Sequence, residues 1–383
     1  MMRRTKILVI AGRFGISGVP LAQMRFARAL ARRGHEVDLL YGMTNEGHLL
    51  PVVEGVTVRS LEKPRASQML LPLIRYFRRT RPDLIFSAGD HLNAMVLLAA
   101  ILSRTKAKVS CSSRVTPFDT YSNAPFSKGW ILKLVSRLTM WRANALTCVS
   151  ADMAEQYRSI FRNARHVCAY NIVDDDHSRA AMVVPVADPW FENKDVPLIV
   201  AAGALVPWKG FDDLIAAMGR VVQRTPARLL ILGEGQMRSE LTELIVKHRL
   251  QGVARLPGNV DNPLAYFSRA NVFVLCSHVE GLPNVLVEAM LCGCTPVATN
   301  CPTGPREVLQ DGKYGYLVSM RDPESLADGI LRALRNPVPV EQLQAAILPF
   351  REDVVIARHF DLLGINVTPR IRETSMEFYA TGE

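Results

Sequence analysis

The sequence predicts an α/β protein that contains two doubly wound parallel sheets, and three observations lead to this prediction. The chain has 383 residues, of which 49% are hydrophobic and 21% charged, the usual balance of a globular protein with well-formed cores. Short apolar runs alternate with helical patterns from the first residues onward, and such alternation indicates parallel sheets covered by helices on both faces. The alternation stops over residues 174–194 and then resumes, which indicates two domains in tandem.

In the first half, the predicted strands are short apolar runs, and helical patterns separate most of them. The first helix is predicted over 21–33, where apolar residues recur every three or four positions, and Gly34 follows it where a glycine commonly ends a helix. The strands are predicted at 6–11, 36–41, 56–61, 83–87, 108–112, 145–150 and 165–170.

The second half repeats the alternation after a segment that holds an acidic cluster, two prolines and no clear period. Its strands are predicted at 197–204, 228–232, 253–256, 271–277, 295–299 and 316–318. We therefore expect two Rossmann-like domains and a C-terminal extension, with an N-terminal domain over 1–180, a C-terminal domain over 195–350, a helix over 351–366 that packs back on the N-terminal domain, and a flexible tail over 367–383.

Charge and composition narrow the function classes. The chain contains 46 lysines and arginines and 36 acids, which gives a net charge of +10. Such a charge suits an anionic partner such as a phosphorylated metabolite, an acidic membrane face or a nucleic acid. No apolar run of the sequence reaches the 18 or so residues that a membrane span needs. The apolar stretch near the N-terminus is too short for a signal peptide, and Arg13 interrupts it. We therefore expect a cytoplasmic protein.

The seven cysteines fit this expectation, because an odd number in a long chain is not a disulfide framework. Cys292, Cys294 and Cys301 lie near one another in sequence, but their spacing matches no tetrahedral zinc set and no histidine pair accompanies them. We expect them to be core thiols, and we expect no metal site.

The most informative motif follows the strand predicted at 271–277. In such sheets ligands bind at the carboxyl ends of the strands, so the cleft between the two domains is the natural site. Pro283 pre-sets the first turn of a helix, and the N–H groups near Gly281, Leu282 and Asn284 can then point into the cleft. Such a helix start is an anion site.

Two carboxylates flank this helix start. Glu280 stands at the end of the strand, and Glu288 lies a turn and a half into the helix. Carboxylates accept hydrogen bonds from the paired hydroxyls of a ribose or a hexose. A single glutamate at such a place is usually a cap or a solvated residue, whereas a pair around a Gly-Leu-Pro helix start favours a binding site.

Three further turns follow strands of the second half. Lys209 lies in the turn 203–210 and is the cation expected against a diphosphate, although most lysines lie on the surface. Gly235, Gly258 and Asn259 lie in tight turns at strand ends, where a plain turn and a ligand contact are about equally expected. Residues 303–307 repeat the order of glycine, proline and helix.

The first half offers weaker signals. The glycine-rich turn 12–18 lacks the dinucleotide fingerprint, and the strand that ends at Tyr41 does not finish with an acid for a ribose, so a nicotinamide enzyme is disfavoured. Gly18 in this turn still offers a free amide to the cleft. His91 and Arg114 follow two other strands, where an acceptor would enter, and Arg114 is the stronger candidate as an anion ligand.

Two basic amphipathic segments, 70–81 and 128–142, are expected to cover the sheet as crossover helices do. The alternative is that one edge of them rests on an anionic membrane and meets a lipid-linked acceptor. In the second segment the residues that share a face are Trp130, Leu134, Leu138 and Trp141, with Lys133 and Arg137 near its edge.

Taken in order, these motifs resemble the retaining glycosyltransferases of family 4, which have the GT-B fold. Glu280 and Glu288 are separated by seven residues, as in the two-glutamate signature of that family. The resemblance covers nearly the whole chain, and the other motifs that carry it are 32–37, 170–173, 209–210, 233–235, 257–263 and 304–307.

The resemblance implies roles for the residues that match. Lys209 would bind the donor diphosphate, Glu280 would contact the transferred sugar, and Glu288 would hold the ribose hydroxyls. The amides near Leu282 and Asn284 would bind a phosphate, and the loop around Gly258 and Asn259 would lie by the base. The chain departs from the family at Ala204, where an arginine is usual; Arg306 or an arginine of the first domain would then replace the missing cation.

The resemblance also implies an activity. A sugar would pass from a nucleotide-diphospho-sugar, with a UDP-sugar favoured over GDP-mannose, to a glycan or a polyprenyl-linked acceptor in the biosynthesis of a surface polysaccharide such as an exopolysaccharide or a lipopolysaccharide. The anomeric configuration would be retained. No metal and no cofactor would be needed, since the nucleotide-sugar is a substrate. The enzyme would be cytoplasmic and peripheral at the inner face of the plasma membrane.

Three alternatives stay open at this point. A UDP-sugar 2-epimerase of the same fold would bind the donor and need no acceptor. A degenerate, non-catalytic partner would only bind a nucleotide or a glycan, and Ala204 favours this second alternative. Nucleic-acid binding is motivated by charge alone, because no recognition motif is present, and we expect no nucleic-acid partner.

Overall fold

The computed structural model describes residues 4–15, 18–44, 49–162, 164–191 and 195–365. It contains one seven-stranded and one six-stranded sheet, and all pairs of neighbouring strands are parallel. Helices cover both faces of each sheet, so the predicted fold class of two doubly wound Rossmann-like domains is confirmed. The tail predicted over 367–383 lies outside the described residues.

The N-terminal sheet has the strand order β3-β2-β1-β4-β5-β6-β7. Its elements, with the helices between them, are β1 (Lys6–Phe14), α1 (Gly18–Arg32), β2 (Glu36–Thr44), β3 (Val56–Ser60), α2 (Leu70–Thr80), β4 (Leu84–Ala88), α3 (Asp90–Ser103), β5 (Lys108–Ser113), α4 (Pro117–Thr120), α5 (Lys128–Thr139), β6 (Ala145–Cys148), α6 (Ala151–Ile160) and β7 (His166–Cys168).

The C-terminal sheet has the strand order β10-β9-β8-β11-β12-β13. The linker and this domain comprise α7 (Asp176–Met182), β8 (Leu198–Ala202), α8 (Phe211–Val221), β9 (Arg228–Leu232), α9 (Arg238–Lys247), β10 (Ala254–Gly258), α10 (Pro263–Phe267), β11 (Val272–Leu275), α11 (Asn284–Leu291), β12 (Thr295–Thr299), α12 (Pro305–Val308), β13 (Tyr316–Val318), α13 (Pro323–Arg335), α14 (Val340–Ala346) and α15 (Glu352–Leu362).

Each sheet has one switch in strand order. In the N-terminal sheet β1 lies between β2 and β4, and in the C-terminal sheet β8 lies between β9 and β11. The connections leave these central strands toward opposite sides, which opens a crevice at the carboxyl ends of the strands. The loops after β1, β4, β8 and β11 therefore line the two crevices.

The first strand is longer than predicted. It runs to Phe14, and its last residues pair in register with β2, with Arg13 opposite Met43 and Phe14 opposite Thr44. Gly12 is thus part of the strand and not of the turn that we expected there, because the backbone pairing continues past the apolar run.

The last helix, α15, packs on the N-terminal domain. The chain returns to that domain beside the linker, where the N–H groups of Val173 and Asp174 donate to the carbonyl of Phe350 at 3.0 and 3.2 Å. In α15, Val355 and Phe360 join the same core cluster as β1 and α1. The two domains are therefore connected by two chain segments.

The face that α5 presents to the domain was predicted wrongly. Leu134, Leu138 and Trp141 were expected to cover the sheet, but they are exposed, with Leu138 at 65% and Trp141 at 72%. The buried side of α5 instead carries Leu132 and small polar residues, which allow the helix to approach α3 closely. The helical spacing of Trp130, Leu134, Leu138 and Trp141 indicated a shared face but carried no information about the direction in which that face points.

A buried histidine of α15 predicts how stability depends on pH. His359 lies at 4.9 Å from the ring of Phe26 and 5.9 Å from that of Phe86, and its burial lowers its pKa from 6.5 to about 3. The folded state disfavours protonation of His359. The part of the unfolding free energy that depends on the neutral imidazole is therefore fully present above pH 6.5 and is lost as the pH falls toward 3.

We therefore expect His359→Phe to reduce the acid sensitivity of the protein. Between pH 7.5 and pH 5 the wild type should lose about 2 kcal/mol more unfolding free energy than the variant, measured by urea unfolding followed by circular dichroism. His91→Phe, at an exposed histidine, is the control and should behave like the wild type. An equal loss in wild type and His359→Phe would contradict the role of this burial.

Candidate functional site

The centre of the site is an ion pair between the loops that follow β8 and β11. Lys209 lies in the turn Pro207–Lys209 and Glu280 in the loop before α11, and Lys209 Nζ lies 2.5 Å from Glu280 Oε1. The same oxygen accepts a hydrogen bond of 2.7 Å from Ser277 Oγ. The two side chains are mostly buried, at 21% and 11% exposure. The structure thus brings together the two residues predicted to handle the diphosphate and the sugar.

Backbone contacts hold the two loops side by side. Gly210 has a φ of 67°, and a Cβ there would lie 2.1 Å from the carbonyl oxygen of Cys276, so only glycine fits. The N–H of His278 donates to the carbonyl of Trp208 at 2.8 Å, and His278 Nε2 lies 2.9 Å from Asp213 Oδ2. This histidine and aspartate could not be singled out from the sequence, because they lie 65 positions apart and belong to no recognised spacing.

The start of α11 differs in detail from the prediction. The helix begins at Asn284, with Pro283 at the N-cap position. The N–H of Asn284 donates to the carbonyl of Leu282 at 3.0 Å, so this amide is used within the turn and is not offered to a ligand. The N–H groups of Gly281 and Leu282 donate to no residue that the structure describes. Of the three predicted amides, these two therefore keep an N–H group that a ligand can use.

The second carboxylate, Glu288, bridges the two domains. Its Oε1 lies 2.8 Å from Nη1 of Arg25, which is on α1 of the N-terminal domain, and the two side chains are 13% and 17% exposed. The glutamate is therefore not a solvated residue of α11. A ligand hydroxyl that binds Glu288 would have to share or replace Arg25.

Arg114 lies in the wall between the domains and not on an open surface. Its guanidinium donates to the amide oxygens of Asn171 and Gln23, the latter at 3.2 Å, and Asn171 in turn donates to Asn284 Oδ1 at 3.0 Å. Burial among these neutral partners lowers the pKa of Arg114 to about 10. Its carbonyl also abuts Gly281, where a Cβ would lie 2.7 Å from it. Arg114 thus supports the domain contact.

The other residue proposed for the acceptor, His91, is exposed in the first turn of α3. Its neighbour Asp90 is buried, and Asp90 Oδ1 accepts hydrogen bonds from Ser113, Tyr121 and Tyr157 at 2.8, 3.0 and 2.9 Å. Burial raises the pKa of Asp90 above its usual value. This cluster ties α3 to β5 and α6, so it fixes the loops around His91.

The remaining predicted donor residues lie at the expected strand ends. Gly18 begins α1 after β1, and no heavy atom lies within 4 Å of where its Cβ would be. A Cβ on Gly235 would lie 2.4 Å from the carbonyl oxygen of Leu205, so this glycine serves packing. Gly258 ends β10 with a φ of 88°, and Asn259 follows it as an exposed residue.

Position 204, where the resemblance implies an arginine, is exposed to solvent. Ala204 is exposed after β8, and Arg306, one suggested replacement, points toward Asp311 at 3.6 Å from an exposed position. Arg25, an arginine of the first domain, pairs with the cleft carboxylate Glu288. A replacement cation is therefore better sought at Arg25 than at Arg306.

Glu307 joins the two domains in a way that sequence reasoning missed. Its carboxylate accepts from the N–H of Ala151 at 2.8 Å and from the hydroxyl of Tyr170 at 2.6 Å. It thereby caps the N-terminus of α6 from the other domain, where a negative charge is favourable. The motif 303–307 had been noted for its glycine and proline, and its glutamate carries the contact.

No helix among the described residues is long and apolar enough to cross a membrane. Within the same parts of the chain, no group of three or more His, Cys, Asp or Glu side chains is arranged to hold a metal ion.

Two family models of glycosyltransferases match the chain, one on each domain. The model described as Glycosyl transferase 4-like domain matches residues 17–171, and the model described as Glycosyl transferases group 1 matches residues 187–347. Together the two models span most of the sequence. The chain belongs to the glycosyltransferases.

Curated relatives carry the same assignment. The uncharacterized glycosyltransferase MJ1059 of Methanocaldococcus jannaschii is 28% identical over 268 residues, which are 64% of this chain and 65% of the relative. The amylovoran biosynthesis glycosyltransferase AmsD of Erwinia amylovora is 28% identical over 83% of this chain and 86% of its own. A Campylobacter jejuni α-1,4-N-acetyl-D-galactosaminyltransferase, named for a diphospho-undecaprenol-linked glycan, is 25% identical over 84% and 87%.

A solved structure shows the same fold. Anabaena Alr3699/HepE in complex with UDP superimposes with a TM-score of 0.74 over 94% of this chain and 100% of that chain, at 17% identity. The architecture of two Rossmann-like domains around a cleft is the GT-B fold.

Removal of the Glu307 carboxylate should weaken the coupling between the domains. Glu307→Ala removes three hydrogen bonds that join the domains, so it should lower the unfolding free energy by about 1–3 kcal/mol and increase the radius of gyration in X-ray scattering. Glu324→Ala, at an exposed acid in the first turn of α13, should change stability by less than about 0.5 kcal/mol. Equal behaviour of the two variants would show that the cap is not a domain contact.

Proposed function

We propose that this glycosyltransferase moves a sugar from a nucleotide-diphospho-sugar onto a glycan or a lipid-linked acceptor, in the biosynthesis of a surface polysaccharide. It does so with retention of the anomeric configuration and without a metal or a cofactor. It works on the cytoplasmic side of the membrane, as a peripheral protein at the inner face.

The observation that carries the proposal is the pairing of Lys209 with Glu280 at the switch point of the C-terminal sheet. A cation at this place stabilises the negative charge that develops on the leaving diphosphate. The N–H groups of Gly281 and Leu282 lie in the loop that follows and add two donors to the same anion. A diphosphate therefore finds a cation and backbone amides in one crevice.

The transfer can be written for these residues. The bond between the anomeric carbon and the donor phosphate breaks through an oxocarbenium-like state, and the acceptor hydroxyl oxygen forms the new bond on the same face. The hydroxyl proton passes to the leaving nucleoside diphosphate. Lys209 and the two amides hold that diphosphate, and Glu280 faces the sugar. Glu288 takes the ribose hydroxyls after Arg25 gives way.

Relatives support the donor and acceptor classes. HepE was solved with UDP, and this supports UDP-sugars as the first donors to test, with GDP-mannose as the second choice. AmsD is named for amylovoran biosynthesis, and the Campylobacter relative for an undecaprenol-linked glycan. These names support a polyprenyl-linked acceptor and a surface polysaccharide as product.

A second candidate function rests on Ala204. The position is exposed beside the crevice and lacks the cation that the family usually has, which favours a partner that binds nucleotide or glycan without turnover. Turnover by the wild type contradicts this candidate. Absence of turnover that Ala204→Arg restores supports it.

The test begins with ligand identification. Melting temperatures with UDP, GDP and ADP, and then with their sugars, identify the donor, because a ligand that binds the folded state raises the melting temperature by mass action. Transfer of radiolabelled sugar to a lipid extract then measures activity. Formation of an isomerised nucleotide-sugar without any acceptor would identify an epimerase. No shift with any nucleotide would overturn the proposal.

The two carboxylates should differ in their kinetic roles. Glu288→Gln is expected to weaken nucleotide affinity about tenfold or more, because a hydrogen bond to a charged group is lost, whereas Glu280→Gln should chiefly lower turnover. Calorimetry with the nucleotide and steady-state kinetics separate the two effects. Glu341→Gln, at an exposed acid of α14, is the control, and unchanged kinetics in both site variants would remove these assignments.

Lys209 should act on the diphosphate. Lys209→Ala is expected to weaken binding of the nucleoside diphosphate more than binding of the nucleoside monophosphate and to lower turnover, because the cation contacts the distal phosphate. Calorimetry with both ligands measures the difference. Equal losses for the two ligands would place the lysine elsewhere in the complex.

A further inference from the structure

The outer surface of the N-terminal domain carries an unusual concentration of positive charge. Residues 66–144 contain twelve lysines and arginines and three acids, a net charge of +9 in a chain whose total is +10. Helices α2, α3 and α5 from this segment lie side by side on one face of the sheet. Arg114 is buried at the domain contact and Lys108 lies on β5, whereas six of these cations lie on α2 and α5, namely Arg75, Arg78, Arg79, Lys128, Lys133 and Arg137.

Ion pairing distinguishes this layer from the opposite face. On α1 and at the residue that follows it, four arginines each have an acid partner: Arg25, Arg28, Arg32 and Arg33 pair with Glu288, Asp175, Asp176 and Glu352. Among the described residues, no ion pair involves Arg75, Arg78 or Arg79 on α2, or Lys128, Lys133 or Arg137 on α5. Within the part of the chain that the structure describes, no acid therefore neutralises these six charges.

An exposed apolar stripe runs along α5 between these basic residues. Its members, spaced for one helical face, are Ile131, Leu134, Leu138 and Trp141, and Phe126 precedes them in the loop before the helix. Phe126 is 84% exposed and has a left-handed φ of 63°, a conformation that costs free energy in a bulky residue. Large apolar side chains at these positions are in contact with water, and removing them from water would be favourable.

We infer that this surface, α2 and α5 with the loop before α5, docks on the anionic face of a lipid bilayer. The stripe enters the boundary between headgroups and acyl chains, and the unpaired lysines and arginines contact acidic headgroups. The inference deepens the proposed function and rests on it for the lipid-linked acceptor. The surface itself is defined by charge and exposure alone.

The topology places the cleft beside this surface. Strand β5 ends at the edge that lines the cleft, and α5 begins after the loop from that edge and runs back to the start of β6. Phe126 therefore lies at the cleft end of the stripe, and Trp141 at the far end. A bilayer on the stripe would bring lipid headgroups to the mouth of the cleft.

Vesicle flotation with the full chain tests the inference. Phosphatidylcholine vesicles with about one-third phosphatidylglycerol should bind the protein, and phosphatidylcholine alone should bind it much less. Raising the salt from about 0.1 M to about 1 M should release it, because the screening length falls from about 10 Å to about 3 Å. Tryptophan emission should shift to shorter wavelength on binding, and Trp141→Phe should reduce that shift.

Two pairs of variants separate charge from apolar contact. Arg75→Glu with Arg79→Glu should lower the partition coefficient by about tenfold or more, while the control Lys247→Glu with Arg335→Glu, on exposed helix ends of the other domain, should leave it within about twofold. Leu138→Gln with Trp141→Gln should also lower it about tenfold, because two large side chains no longer leave water. Val246→Gln with Val354→Gln, at exposed valines elsewhere, is the matched control.

The outcomes are distinguishable from those of the proposed function, since flotation needs neither donor nor acceptor. Nucleotide binding should be unchanged in all four variant pairs. Failure of the wild type to float with anionic vesicles would overturn the inference, as would equal losses in the site and control pairs. A concentration-dependent dimer that Leu138→Gln with Trp141→Gln abolishes, without vesicle binding, would show that a second copy covers the stripe. Tight binding to nucleic acid but not to vesicles would also overturn it.

Discussion

The cleft is organised by the need of two mostly buried carboxylates for a partner. Glu280 and Glu288 are little exposed, and a carboxylate that leaves water is costly unless a cation or hydrogen-bond donors compensate it. Lys209 compensates the first from within its own domain, and Arg25 compensates the second from the other domain. Both carboxylates are therefore already neutralised by protein groups, and under the proposed function a donor would exchange partners with groups that are in contact with each other.

This exchange has different consequences for the two pairs. Under the proposed function, a diphosphate that binds Lys209 would leave Glu280 next to the transferred sugar, where its oxygens would accept hydrogen bonds from the sugar hydroxyls. A ribose that binds Glu288 competes with Arg25, which is one of the links between the domains. Under the proposed function, donor binding would therefore act on a domain contact, whereas Glu307 and Asn171 join the domains through other hydrogen bonds. Domain closure around the donor is consistent with this division.

The fold and part of the site could be predicted from the sequence for one physical reason. Buried parallel strands are continuous apolar runs, and the carboxyl ends of neighbouring strands meet at one edge. Lys209 and Glu280 lie 71 positions apart, yet both follow such runs, so their proximity followed from the strand positions. Gly258 and Asn259 were placed at a strand end by the same reasoning.

The contacts between the domains could not be predicted in this way. Arg25, Arg114 and Glu307 act across the cleft, and neither local spacing nor strand order determines how two separate sheets face each other. The direction of α5 was also beyond the pattern, because Leu132 on one side and Leu134 and Leu138 on the other give the helix two apolar faces. Only one of these faces packs toward the sheet, and the sequence pattern does not indicate which one.

This second apolar face connects the charge of the chain to its topology. A crossover helix needs one face for the sheet, and the other is normally polar because water surrounds it. On the outer face of α5 and of the turn after it, Leu138 and Trp141 are exposed, and the basic residues without an acid partner lie beside them and on α2. Charge alone would suit any polyanion, and an apolar stripe alone would suit any protein partner. A bilayer with acidic headgroups is the environment that satisfies both at once, and the helix that carries the stripe starts at the edge where the cleft opens.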